Sequence, residues 1–167
     1  MKIFKRSFLS FFFIICFSSQ TESAIEIDLK DFSKAPKFLS EFGFFTDMRN
    51  QTPAESVHPY SLASPLFSDH TDKLRFVYVP DGEKLGYVKN KVFIFPVGST
   101  LIKTFAYLNK SGSLEQQLLE TRLLINTNEG WKAISYVWND EQTDAKRAIA
   151  GATIPTSFLN SQGELID

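Results

Sequence analysis

Between Lys73 and Trp138 turn chemistry cuts the chain into short apolar runs at intervals of about eight to twelve residues, a rhythm that suits short strands and little else. Residues 74–79 (LRFVYV) stop at Pro80-Asp81-Gly82, and residues 85–88 and 92–97 flank Lys89-Asn90-Lys91 as a hairpin. Residues 101–108 (LIKTFAYL) end in a polar stretch, and residues 118–126 (LLETRLLIN) turn through Asn128-Glu129-Gly130 into residues 131–138 (WKAISYVW). This spacing predicts a mainly β protein, an antiparallel β-sandwich or barrel-like domain. In LLETRLLIN the period of two places Leu119, Thr121, Leu123 and Ile125 on one face, with Glu120 and Arg122 on the other. As a solvated surface pair, Glu120 and Arg122 would contribute at most about 1 kcal/mol.

The flanking stretches are less regular. Residues 25–29 alternate apolar and acidic side chains and suggest an edge strand. Residues 34–45 (KAPKFLSEFGFF) predict a short N-terminal helix from Pro36, with Phe38, Leu39 and Phe42 on one side and Gly43 as its stop. Residues 46–69 carry Pro53, Pro59 and Pro65 and read as a long loop wrapping the surface. Residues 139–150 are polar and then mildly helical, and residues 158–167 form a hairpin tipped by Ser161-Gln162-Gly163.

Six of the 17 Phe fall in the first 17 positions, behind Lys2, Lys5 and Arg6. A basic start, an apolar run of about ten residues and then small polar residues make a secretory signal peptide, expected over residues 1–24. The run is too short to cross a bilayer core of about 30 Å. Export implies a periplasmic or secreted protein with no membrane attachment beyond that signal. Cys16, the single cysteine, lies inside the run; Ile15 and Phe13 depart from the pattern that lipidation of such a cysteine requires. A mature chain from residue 25 then has no thiol for a disulfide, a Cys-ligated metal or a C-x-x-C-H haem attachment, so no cofactor is expected. The full chain has 18 Lys+Arg against 19 Asp+Glu; without the leader the balance becomes 15 against 18. Such a charge does not suit a nucleic-acid binder, which needs a basic face for phosphates.

Chemistry-bearing motifs are sparse. Phosphate-binding glycine loops, G-x-S-x-G and H-E-x-x-H are all missing, and the two histidines are His58 and His70. Asp69-His70-x-Asp72 reads as a polar loop, and a triad built on Ser68 or Ser99 has no local oxyanion hole. Asp140, Glu141 and Asp144 beside Trp138 have the composition of a sugar site, with paired carboxylates next to an aromatic platform. The same residues also suit a helix start capped by Asn139 or Asp140. Trp138, Asn139 and Gln142 could equally bind a ligand by stacking and hydrogen bonds without catalysis.

In order along roughly residues 38–163, the strings FLSEFGFF, QTPAE, PYSLASPLFSD, KLRFVYVPDG, FPVGSTLIKTFAY, LLETRLLI and YVWNDEQTDA resemble one known arrangement. It is the N-terminal, non-haem region of a family of secreted bacterial dihaem-type c cytochromes of unknown role, a region similar to one appended to some sugar dehydrogenases of the pyrroloquinoline-quinone type. The relatives continue into a haem-bearing part; this sequence has no C-x-x-C-H, so haem binding is not carried over. The resemblance implies one β domain over residues 25–167 lacking a C-terminal continuation. It also implies a non-catalytic accessory or docking module for a c-type cytochrome or another periplasmic redox protein. The matching polar residues Asp69, Lys103, Glu120, Arg122, Asn139, Glu141 and Gln142, with Trp138, form the candidate polar network. Two alternatives stand beside it: a carbohydrate- or small-ligand-binding domain, and a hydrolase or lyase using Glu141 with Asp69 or Glu120.

Overall fold

A computed structural model describes residues 34–64, 71–108, 116–149, 157–159, 162 and 164–166. The leader, Cys16, the strand expected over residues 25–29, Asp69 and His70 lie outside the described residues.

The fold is mainly β, as the turn rhythm predicts. Six strands form one antiparallel sheet in sequence order: β3 (Val57–Pro59), β4 (Asp72–Tyr78), β5 (Thr100–Tyr107), β6 (Gln117–Thr127), β7 (Gly130–Trp138) and β8 (Ala145–Ala148). Two small sheets accompany it, β1 (Phe45–Asp47) with β2 (Thr52–Pro53), and β9 (Phe158–Leu159) with β10 (Leu165–Ile166). Among the described residues no barrel closes. The large sheet is a meander whose two faces differ among the described residues, one packed and one partly exposed, referred to below as the open face.

On the packed face alternate residues of the central strands are buried, including Phe76, Ile102, Ala106, Leu123, Ile125, Ile134 and Tyr136. The N-terminal segment covers them with Leu39, Phe42, Phe44 and Phe45. Phe42 stacks on Phe44 at 5.0 Å and meets Tyr136 edge-on at 5.7 Å, while Phe45 meets Phe76 edge-on at 5.1 Å. Aromatic pairs of this geometry contribute about 0.5–1.5 kcal/mol beyond their buried area.

Three expectations are corrected. The N-terminal helix is a single 3-10 turn, Leu39–Phe42. Glu41 accepts the Phe38 backbone N–H at 2.7 Å, and Gly43 at φ 66° ends the turn at once, which frees Phe44 and Phe45 to enter the core. The stretch after Asn139 forms the edge strand β8 instead of a helix. Its backbone pairs with β7 from Trp138↔Ala145 to Ser135↔Ala148, and the Arg147 N–H bonds the Lys37 carbonyl at 2.8 Å on the other side. Two available backbone partners outweigh a weak local helix preference. Finally, the alternation in LLETRLLIN breaks at Leu119. Phe105 pairs with Glu120 but Ala106 pairs with Leu118, so Leu119 is the extra residue of a bulge and Leu118 takes the buried position.

The hairpin centred on Lys89-Asn90-Lys91 is present as one bridge, Gly86↔Ile94, closed by a turn with Asn90 at φ 62°. The C-terminal hairpin around Gln162 is β9–β10.

Candidate functional site

The candidate polar residues separate into two groups on opposite sides of the sheet. One lies around the β7–β8 turn. Trp138 is 5% exposed, and its indole N–H donates to Thr121 Oγ1 at 2.9 Å. Thr121 is 2.7 Å from Thr104 Oγ1, which donates to Gln51 Oε1 at 2.7 Å, and Gln51 Nε2 in turn bonds the Met48 carbonyl at 2.9 Å. Because Thr104 spends its proton on Gln51, Thr121 is the donor between the two hydroxyls. The result is one directed chain, Trp138 to Thr121 to Thr104 to Gln51 to Met48, running through the core. In a low-dielectric interior such chains polarise one another and fix a unique packing. Trp138 therefore presents no open ring face for a sugar.

Gln142 has a similar internal task. Its Nε2 donates to the Leu118 carbonyl at 3.1 Å and its Oε1 accepts the Leu118 N–H, so the amide stands in for a strand partner at the bulge. Gln142 holds φ 57° to do so. Asn139 closes the same turn: its Oδ1 accepts the Thr143 N–H at 2.9 Å and its Nδ2 donates to Thr143 Oγ1 at 2.8 Å. Asp144 accepts from the Ser40 N–H at 3.1 Å and from the Ser40 hydroxyl, tying the turn to the N-terminal segment. Asp140 and Glu141 are exposed at the turn. Asp144 is committed to Ser40, while Asp140 and Glu141 are solvent-exposed, so the three carboxylates have different surroundings.

Lys103, Glu120 and Arg122 do come together, on the open face of the sheet. Arg122 forks onto Glu120 with bonds of 2.9 and 2.8 Å. Burial would raise the Glu120 carboxyl, but the Arg122 fork, a Ser135 hydrogen bond and the Arg122 and Lys103 charges together hold it below its ordinary value. Lys103 Nζ and the Arg122 guanidinium both lie over the Phe105 ring, at 4.9 and 4.8 Å from its centre. Burial and the neighbouring charges of Arg122, Arg75 and Lys73 lower the Lys103 ammonium.

The hairpin expected around Lys89-Asn90-Lys91 is the tip of an arm formed by residues 83–98, and its exposure is what the sequence did not announce. Its apolar side chains point outward: Tyr87 is 73% exposed, Val92 87%, Phe93 52% and Ile94 62%. Tyr87 and Phe93 pair across the arm at 6.1 Å. The base is firmly held, with Asn126 Nδ2 donating to the Phe95 and Pro96 carbonyls at 2.9 and 3.2 Å and Phe95 edge-on to Trp131 at 5.3 Å. Ser99, at this base, is fully buried. The advance sign was the density of Val, Phe, Ile and Tyr around Lys89-Asn90-Lys91, which predicts a hairpin but not which way its side chains face.

Among the described residues no group of three or more His, Cys, Asp or Glu side chains could hold a metal ion. Comparison with family models, curated proteins and solved structures returns no match.

Proposed function

We propose that this chain is an exported, non-catalytic interaction domain that works beside a c-type cytochrome and docks through the apolar arm of residues 83–98. The observation that carries the reading is the outward set Tyr87, Val92, Phe93 and Ile94 on an arm whose base is pinned by Asn126. Contiguous exposed apolar surface on a soluble domain marks an interaction site, and a pre-ordered base lowers the entropy cost of using it. The partner class and the periplasmic setting come from the family resemblance and from the leader. A non-catalytic role agrees with the structural use of Trp138 and Gln142 inside the fold and of Asn139 and Asp144 in the turn before β8.

Photo-cross-linking in the native host tests this directly. The photoreactive analogue p-benzoylphenylalanine is placed at Phe93 of the exported chain, and adducts are separated on a denaturing gel. Covalent c-type haem stays with its protein there and stains by its peroxidase activity. We expect a cross-linked band that carries haem. Adducts to haem-free proteins, or none, would remove the cytochrome from the reading.

A further inference from the structure

The open face of the large sheet carries an arrangement that the fold itself disfavours. Arg75 stands directly opposite Lys103, and Lys103 directly opposite Arg122, so three cations form one row across β4, β5 and β6. Like charges in directly opposed cross-strand positions are destabilising. The next row along the strands holds Lys73, Phe105 and Glu120, with Lys146 further out opposite Val137. Glu120 is the one carboxylate of these two rows among the described residues, and Arg122 has already claimed it at 2.8 Å. The Arg122 side chain remains 55% exposed in spite of that pair. Two residues along in the other direction, Val77, Leu101 and Leu124 form an apolar row in the same register. The Lys103 and Arg122 cations both lie over the Phe105 ring of the neighbouring row.

We infer that this open sheet face is a second docking surface, built to receive an acidic polypeptide segment whose carboxylates meet Arg75, Lys103 and Arg122 and whose apolar side chains meet Val77, Leu101 and Leu124. Charge complementarity decides the sign of the partner: opposing carboxylates relieve the repulsion that the row stores when bare. The apolar row decides its kind. A polyanionic sugar has no side chains for Val77, Leu101 and Leu124. A bilayer surface presents phosphate charge without side chains for the narrow apolar row of Val77, Leu101 and Leu124. An acidic segment offers both kinds of group at the strand-like spacing of the two rows, about 6.8 Å apart for every second residue. The arm's base borders this face, since Asn126, two residues beyond Leu124 on β6, holds the Phe95 and Pro96 carbonyls, but the cation row does not use the arm's outward residues and does not require the partner to hold haem.

The test uses fluorescein-labelled poly-L-glutamate and the mature chain, with binding followed by anisotropy. Polygalacturonate and phosphatidylglycerol vesicles serve as the competing anions. Poly-L-glutamate is expected to bind the wild type and to weaken by about tenfold or more between 20 and 200 mM salt. Lys103→Glu is expected to weaken it by at least about tenfold while raising the melting temperature, because the new carboxylate sits between Arg75 and Arg122. Lys91→Glu, on the arm, should leave the affinity within about twofold. The inference is overturned if the wild type ignores poly-L-glutamate, or if Lys103→Glu binds as well as the wild type. It is equally overturned if Lys103→Glu melts earlier, which would make Lys103 a structural residue, or if either competing anion binds more tightly than poly-L-glutamate. None of these outcomes bears on the haem-stained cross-link at Phe93.

Discussion

Thr121 is where the core has least freedom: its single hydroxyl accepts from Trp138 and donates to Thr104. Thr121→Val keeps the shape but leaves the buried indole N–H without an acceptor and the Thr104 oxygen with only its bond to Gln51. A loss of about 1–3 kcal/mol is expected in urea unfolding, against near-neutrality for an exposed Thr→Val change. The period of two announced that Thr121 faces inward. It could not announce Gln51 as the end of the chain, because Gln51 reaches Thr104 from another sheet and across 53 positions. Glu120 makes a prediction in pH. Its folded carboxyl lies below the ordinary value, so its contribution to stability is complete above the unfolded value and fades as pH falls through the folded one. Melting curves of the wild type should therefore lose stability on acidification, and Glu120→Gln should lack that part of the loss.

At the scale of elements, β6 shows how one residue redirects a strand. Its strict alternation was legible from Thr121 to Ile125, and the two faces are as the sequence assigns them. Leu119 was misplaced because a bulge depends on the partner strand and on an outside side chain, here Gln142, that satisfies Leu118. Gln142 was legible as a polar residue of importance, but its target, a backbone, was not. Gln142→Gly keeps the left-handed backbone accessible and removes the whole side chain with its amide; we expect roughly 1–3 kcal/mol lost in denaturant, because the Leu118 N–H and C=O lose the amide that pairs them. The arm is the opposite case, an element the core does not need. Replacing Val92, Phe93 and Ile94 together by Ser should leave the urea midpoint nearly unchanged and abolish cross-linking from a probe at Tyr87. The base of the arm behaves differently. Gly98 holds φ +91°, and an added Cβ would stand 3.0 Å from Pro80 Cγ, so Gly98→Ala should cost roughly 1–3 kcal/mol.

Across the molecule, the sheet has one face to hide and one to use. Residues 34–45 hide the first: they carry Leu39, Phe42, Phe44 and Phe45 over the core, and they close the β8 edge through Lys37 and Arg147. A chain starting at Thr46 is expected to bind the dye 8-anilinonaphthalene-1-sulfonate and to lose its near-ultraviolet dichroism while keeping β-sheet signal, since strand pairing would outlast the aromatic packing. Sheet signal lost together with the near-ultraviolet bands would instead mean that the cover is needed for the strands to pair.

The sequence by itself determined that this is a β protein, where β4 to β7 run, and which residues of β6 from Thr121 onward face inward. Those are short-range properties, set by side-chain period and turn chemistry. Tertiary structure alone decided that residues 145–148 pair as an edge strand, that Trp138 and Gln142 brace the fold from within while Asn139 closes the turn before β8, and that three cations share one row. Each of these depends on which strand lies beside which and in what register, and register joins residues that the chain keeps dozens of positions apart.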